Sequence, residues 1–437
     1  MRTINYKMLP TLSSVSQPDR LYAERSDGVA DLSGLQRSAK LWISLLCLLC
    51  FGCQEYPNAY KMTDGKPEVF YVRLPDVAAA DSLLDGAFLG NTICIVGNNL
   101  RSVYELYFND RKAILNTSLM TDHTLIVSLP GDIPEIVTDN MYLHTKKGEI
   151  VAYPFRSKVP APVVSAISCE YALDGWEATI YGDFLIDDAN VPLKISMGGN
   201  VPVTEILDVR KTQVRFVIPE GAQKGYINVE TIYGTGRSHF QFRDDRGMIL
   251  DWDNLNADGG WRSGNLADVD GISGKYVVFK GNLNDDTWDE DGFSFNLWGI
   301  ENGRPEGDFF NASASNLDRL LFKFEINVLK AWSSCAMQII FTPWDVCNTN
   351  GYIGDSPLHS RALWIPWITE SSYKTDGWIT VTIPMTEFKY DAEGKVIDRL
   401  GPGNYGGLTM YVWNGGIDGT PCSPEMWIDN IRVVPAE

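Results

Sequence analysis

ICIVGNNL at residues 93–100 and ATIYGDFL at residues 178–185 share one arrangement: a strand-forming run, a glycine, and a leucine closing behind it. Downstream of each, TLIVSLPGDIP (124–134) corresponds to TQVRFVIPEGA (212–222), and MYLHTKKGEIVAYPF (141–155) corresponds to INVETIYGTGRSHFQF (227–242). Runs of this length, rich in β-branched and aromatic residues and separated by Gly, Asn and Pro, predict short strands. A repeat of roughly 80 to 90 residues suits one β-sandwich per copy. The expected modules are 67–158 and 159–243, after a linker at 54–66. Between the copies, KVPAPVV carries Pro160 and Pro162, whose fixed φ denies the chain a free hinge and predicts a stiff spacer.

Beyond Arg243 the composition changes. Eleven of the 13 tryptophans fall in residues 244–437. Seven β-runs follow: KYVVFKG, DGFSFNLWG, RLLFKFEINVL, CAMQIIFTPW, GWITVTIPM, LTMYVWN and MWIDNIRVV. No stretch of helical period lies between them, so a third domain, 244–437, is expected as a jelly-roll-like β-sandwich in an all-β chain.

Alternation separates the two faces of these strands. Phe293, Phe295 and Leu297 oppose Ser294, Asn296 and Trp298, while Met337, Ile339 and Phe341 oppose Gln338, Ile340, Thr342 and Trp344. Ile379, Val381 and Ile383 oppose Trp378, Thr380 and Thr382, and Leu408, Met410 and Val412 oppose Thr409, Tyr411 and Trp413. Each of the four strands thus offers an apolar face and a face mixing an aromatic with amide or hydroxyl groups. Flat rings that stack on pyranose C–H faces, beside amides that fix hydroxyls, are what a glycan cleft requires. Trp364 and Trp367 in ALWIPWI stand beside Pro366, which removes an amide donor and predicts an exposed edge or loop. The expected platforms are Trp288, Trp298, Trp344, Trp364 and Trp367. Stacking on one ring contributes roughly 1–3 kcal/mol if sugars behave as bases do.

Charge narrows the ligand. The chain carries a net −19, and residues 244–437 hold 14 Lys and Arg against 29 Asp and Glu. Such a field repels nucleic acid and anionic glycans and favours a neutral polysaccharide. The crowded carboxylates of Asp285, Asp286, Asp289, Glu290 and Asp291 form a solvated face in which nothing singles out an acid and a nucleophile. No G-x-S-x-G, HExxH or phosphate loop is present, and His123, His144, His239 and His359 are scattered. The chain is therefore read as non-catalytic, the alternative being a surface endo-glycoside hydrolase presented on a stalk. The cysteines beyond residue 53 are odd in number and irregular in spacing, so buried free thiols are preferred to a Cys335–Cys347 bridge.

At the N-terminus, RSAKLWISLLCLLCFGC (37–53) has a basic flank, an apolar run and a small residue before Cys53, the anatomy of a secretory signal. It resembles a bacterial lipoprotein cleavage box, which implies a leader over residues 1–53, lipidation at Cys53 and a membrane association through that anchor alone.

The repeated glycine strand, the strand ending in Pro and the following hairpin resemble the IPT/TIG class of immunoglobulin-like modules. Taken whole, the chain resembles the cell-surface glycan-binding lipoproteins of Bacteroidetes polysaccharide-utilisation loci, with RALWIPWITESSYKTDGWITVTIP similar to the xyloglucan-binding-domain type. The resemblance implies an outer-membrane lipoprotein facing the exterior, which captures xyloglucan or a related β-glucan. It also implies a neighbouring endo-glycanase and a TonB-dependent transporter complex as partners. No cofactor is required by this reading. LDWDN and MWIDNIRV resemble terminal strands of jelly-roll binding modules, which implies a structural Ca²⁺ at Asp251, Asp253 and Asp429.

Overall fold

A computed structural model describes residues 61–258, 263–284, 292–346, 360–413 and 419–436. Trp261, Trp288, the acidic run 285–291, Cys347, His359 and the leader with Cys53 lie outside the described residues. Described secondary structure consists of β-strands and short 3-10 turns. The chain divides into two compact units, one ending at Pro160 and one beginning at Ala161.

In the first unit, Glu68–Arg73, Thr92–Asn98 and Thr124–Ser128 form one sheet, and Arg111–Lys112, Val103–Phe108, Asn140–Thr145 and Ile150–Pro154 form another. Ile93, Ile95, Leu106, Leu125, Met141 and Leu143 fill the space between them. The repeat explains its glycines. A Cβ on Gly97 would lie 1.9 Å from the Glu68 carbonyl oxygen, and one on Gly182 would lie 1.7 Å from that of Val163. Both partner strands carry a bulge at that point, so the neighbouring backbone closes to a distance only glycine tolerates. Two residues on, Asn99 and Phe184 take matching positive φ values of 55° and 56°.

The second unit holds two cores. Residues 163–242 form a continuous path of eight strands, whose halves meet where Val164 pairs in parallel with Ser238. Their inward residues, among them Ile180, Ile195, Phe216, Ile227 and Phe242, share one apolar cluster.

The third domain is a sandwich of two sheets. One runs Asn265–Ala267, Tyr276–Lys280, Glu425–Pro435, Leu320–Lys330 and Ile379–Pro384, with Met248–Leu250 also pairing with Glu425–Pro435. The other runs Ser294–Trp298, Gly407–Trp413, Ala336–Thr342 and Arg361–Trp364. All seven expected β-runs contribute strands. Met248–Leu250, Asn265–Ala267 and Arg361–Trp364 are additions, too short to read from alternation.

Residues 161–243 and the third domain are not separate units. Trp378 and Tyr276 are buried in the apolar cluster of the second immunoglobulin-like module, with Trp427 packed against it. These three rings contact one another with centroids 5.0–6.3 Å apart. Beside them, Thr380 donates its backbone N–H to the Ser168 carbonyl at 3.0 Å, and its hydroxyl accepts from Glu170 N–H at 2.6 Å. The edge strand Ile379–Pro384 is thereby covered, as an unpaired sheet edge must be.

Candidate functional site

The four-stranded sheet of the third domain turns its apolar residues to the core and a mixed face the other way. Cross-strand register sets this second face in rows. Ser294 lies opposite Tyr411, Tyr411 opposite Gln338 and Gln338 opposite Leu363. In the next row stand Asn296, Thr409, Ile340 and Arg361, and then Trp298 and Thr342 on either side of Gly407. Trp298, Ile340 and Tyr411 pack as a small apolar group with Trp413 against it, separate from the main core. An apolar stripe thus crosses the sheet, with polar pairs on both sides.

The polar groups are mutually fixed. Arg361 Nη1 donates to Gln338 Oε1 at 2.7 Å and to the Tyr411 hydroxyl at 3.1 Å, and that hydroxyl donates to Gln338 Oε1 at 3.0 Å. Thr409 Oγ1 donates to Asn296 Oδ1 at 2.9 Å. Gln338 Nε2 and Thr342 Oγ1 are buried with no hydrogen-bond partner. Among the described residues, none of the side chains that these strands set on this face is a carboxylate.

Trp344 closes one end of the face. Its ring lies against Gly299, where a Cβ would fall 2.1 Å from Cδ1, and its Cβ lies against Gly406, where an added Cβ would fall 2.6 Å away. Its Nε1 donates to the Arg304 carbonyl at 3.0 Å, and the residue keeps part of its surface exposed.

Three of the four mixed-face strands therefore converge in one sheet. The fourth does not, because Ile379–Pro384 joins the opposite sheet and turns Trp378 and Thr380 to the second immunoglobulin-like module.

Comparison with known proteins gives the arrangement a family. Residues 242–435 match the surface glycan-binding protein B xyloglucan binding domain. PbSGBP-B of Prevotella bryantii, a surface glycan-binding protein of known crystal structure, is 32% identical with a TM-score of 0.71, over 86% of this chain and 100% of its own. The chain belongs to the SGBP-B family. An IPT/TIG domain-containing protein of Bacteroides ovatus is 26% identical over 197 residues, 41% of this chain, and the chain spans 40% of the length of that curated relative.

Within this SGBP-B chain the expected platforms separate. Trp298, at 2% exposure, belongs to the mixed face, and Trp344 borders it. Trp364 and Trp367, each at 6% exposure, lie in the main core. Trp364 meets Phe324, Trp332 and Tyr373 with centroids 5.5–5.7 Å apart. Trp367 Nε1 donates to the Cys335 carbonyl at 2.8 Å. The expectation of exposed rings at these two positions is corrected: Arg361–Trp364 is an edge strand, as Pro366 suggested, but Trp364 shares the core-facing side with Ala362.

The carboxylates implied as calcium ligands have protein partners, with Asp253 Oδ1 accepting from the Lys275 N–H at 3.1 Å. Asp251 Oδ1 accepts the backbone N–H groups of Asp253, Asn254 and Leu255, at 3.2, 2.9 and 2.7 Å, and so is spent on a turn. Asp429 is buried, accepts from Ser273 Oγ at 2.8 Å and from Asn430 N–H at 2.7 Å, and burial pushes its carboxyl up to about 8. No group of three or more His, Cys, Asp or Glu side chains placed to hold a metal occurs among the described residues. Cys94, Cys169 and Cys422 are free thiols.

Arg361 was not expected at the site, because its four-residue strand is too short to show alternation. Gly299 was missed as well, since only the folded structure reveals the ring it accommodates.

Proposed function

We propose that this protein captures a neutral plant polysaccharide, xyloglucan or a related β-glucan, without cleaving it. The observation that carries the reading is the margin of the mixed face of the four-stranded sheet, where Trp344 and Trp413 keep part of their surface exposed while the residues behind them, Trp298, Tyr411, Asn296, Gln338 and Thr409, are buried. Partly exposed indole rings supply stacking surfaces for pyranoses. Glycoside hydrolysis calls for two carboxylates flanking the scissile bond, and those strands present none there. The xyloglucan-binding description of the matched family and the acidic field of the domain favour the same ligand class.

In this reading Cys53 carries the lipid anchor, the protein stands on the outer face of the outer membrane, and the immunoglobulin-like modules act as a spacer. Captured chains pass to a surface endo-glycanase and a TonB-dependent transporter complex. Affinity electrophoresis of residues 54–437 through gels containing xyloglucan, mixed-linkage β-glucan or a uronate-rich glycan tests it, with reducing sugar assayed in parallel. Retardation by the neutral glucans without sugar release supports capture; release of sugar would make the protein a hydrolase, and no retardation by any glycan would end the proposal.

A further inference from the structure

In the first module, the sheet of Arg111–Lys112, Val103–Phe108, Asn140–Thr145 and Ile150–Pro154 carries rings on its outer face. Leu106, Phe108, Met141 and Leu143 belong to the module core, so alternation turns Tyr107, Tyr142 and His144 outward, where each keeps part of its surface exposed. Tyr107 stands directly across from Tyr142, and Tyr142 from the exposed Ala152, whose small side chain leaves that flank of the ring open. The His144 ring adjoins Tyr107 with centroids 5.0 Å apart. At the rim, Glu105 accepts from Lys112 Nζ at 2.5 Å and from the Tyr107 hydroxyl at 3.1 Å. The carboxylate and the ammonium beside the rings therefore cancel.

The repeat supplies an internal control. In the second module the same register sets Ser196 opposite Asn228 and Lys194 opposite Glu230, where the first sets Tyr107 opposite Tyr142 and Glu105 opposite His144. Ordinary polar pairs thus satisfy this sheet, and its fold does not call for aromatic residues at those positions. Tyr226, a ring on that face of the second module, is covered by the Arg237 guanidinium 4.0 Å from its centroid. Rings left half in water on the first copy point to a contact made outside the module. A protein partner would call for a contact surface with an apolar core, whereas a charge-balanced pair of rings rimmed by polar groups suits the C–H face and hydroxyls of an uncharged sugar. Resting on the glycan-capture reading, we infer that Tyr107 and Tyr142 form an auxiliary contact for the same neutral polysaccharide. A long polymer then engages the protein at two places and is held more tightly than by the third domain alone.

The test gives the first module the residues of the second: Tyr107→Ser together with Tyr142→Asn in residues 54–437. Affinity electrophoresis through gels containing xyloglucan should show binding weakened by about five-fold or more, with the melting temperature unchanged. Equal retardation of the two proteins overturns the inference and leaves capture by the third domain intact. No retardation of the unsubstituted protein overturns both. Hydroxyl-radical footprinting of the unsubstituted chain needs no variant: saturation with xyloglucan should protect Tyr107 and Tyr142, while Tyr181 of the second module, 42% exposed, stays reactive. Unprotected Tyr107 and Tyr142 in the saturated protein contradict the assignment.

Discussion

Arg432, on the last strand of the binding domain, donates from Nη2 to Glu170 Oε2 of the second immunoglobulin-like module at 2.8 Å, and both side chains are buried. The same guanidinium reaches Glu325 at 2.7 and 3.0 Å, and Lys323 Nζ reaches Glu170 Oε1 at 2.5 Å. Arg432 also stacks over the Tyr171 ring at 4.8 Å. Two cations and two carboxylates thus alternate in a buried chain, Lys323–Glu170–Arg432–Glu325, between module and domain. Glu170 of the module is held by two cations of the domain, so the two parts are expected to fold as one body.

Removing one member leaves its partners buried and unpaired. Arg432→Met should destabilise the protein by about 3–5 kcal/mol, as broken buried ion pairs do. Adding Glu325→Leu to it should recover part of that loss, since one orphaned charge is removed with the other. Urea denaturation of the single and double variants measures both effects.

Truncation tests the shared body directly. A fragment beginning at residue 244 loses Glu170 and uncovers Trp378, Tyr276 and the Ile379–Pro384 edge, and should melt lower and bind a hydrophobic dye. A fragment beginning at residue 161 should melt in one cooperative transition by calorimetry. Two separate transitions there would contradict the joint packing.

Asp429 makes stability fall as pH rises. Burial raises its folded-state carboxyl to about 8, above the ordinary unfolded value near ~4. The folded state therefore holds more protons between those values. Its stabilising contribution is complete below about pH 4 and is lost as pH rises through about 8, with a slope of about −1.4 kcal/mol per unit at most. Asp429→Asn should flatten denaturation midpoints between pH 5 and 8 (about the window of that shift) and stabilise the protein at the alkaline end. Because Asp251 is spent on backbone donors, a chelator should leave the melting temperature unchanged.

Tryptophan substitutions should sort by sheet face. Trp364→Ala and Trp367→Ala open core cavities and should each cost about 3–5 kcal/mol in stability. Trp413→Ala, at the margin of the mixed face, should lower glycan affinity by roughly ten-fold with a smaller change in melting temperature. Parallel melts and titrations distinguish the two classes.

Much of this was legible in the chain. Gly97 and Gly182 announce the repeated module because a bulged neighbour reaches each of them, and the alternation in FSFNLWG, AMQIIFTPW and LTMYVWN marks the face that the sheet presents. What alternation lacks is the identity of the pairing partner. GWITVTIP reads like the other three, yet its strand pairs with Leu320–Lys330 in the opposite sheet, and its polar side meets another module. Trp364 and Trp367 misled for a related reason. Polar sequence and Pro366 around them describe a strand edge, whereas ring burial depends on which side of that edge strand faces the core.

The most direct measurement of glycan capture is calorimetric titration of residues 54–437 with soluble xyloglucan, comparing the unsubstituted protein with Trp413→Ala and assaying reducing ends in the same solution. Saturable binding, weakened by the substitution and accompanied by no new reducing ends, is the predicted result. Absence of binding, binding indifferent to Trp413, or accumulation of reducing ends would contradict capture at this face.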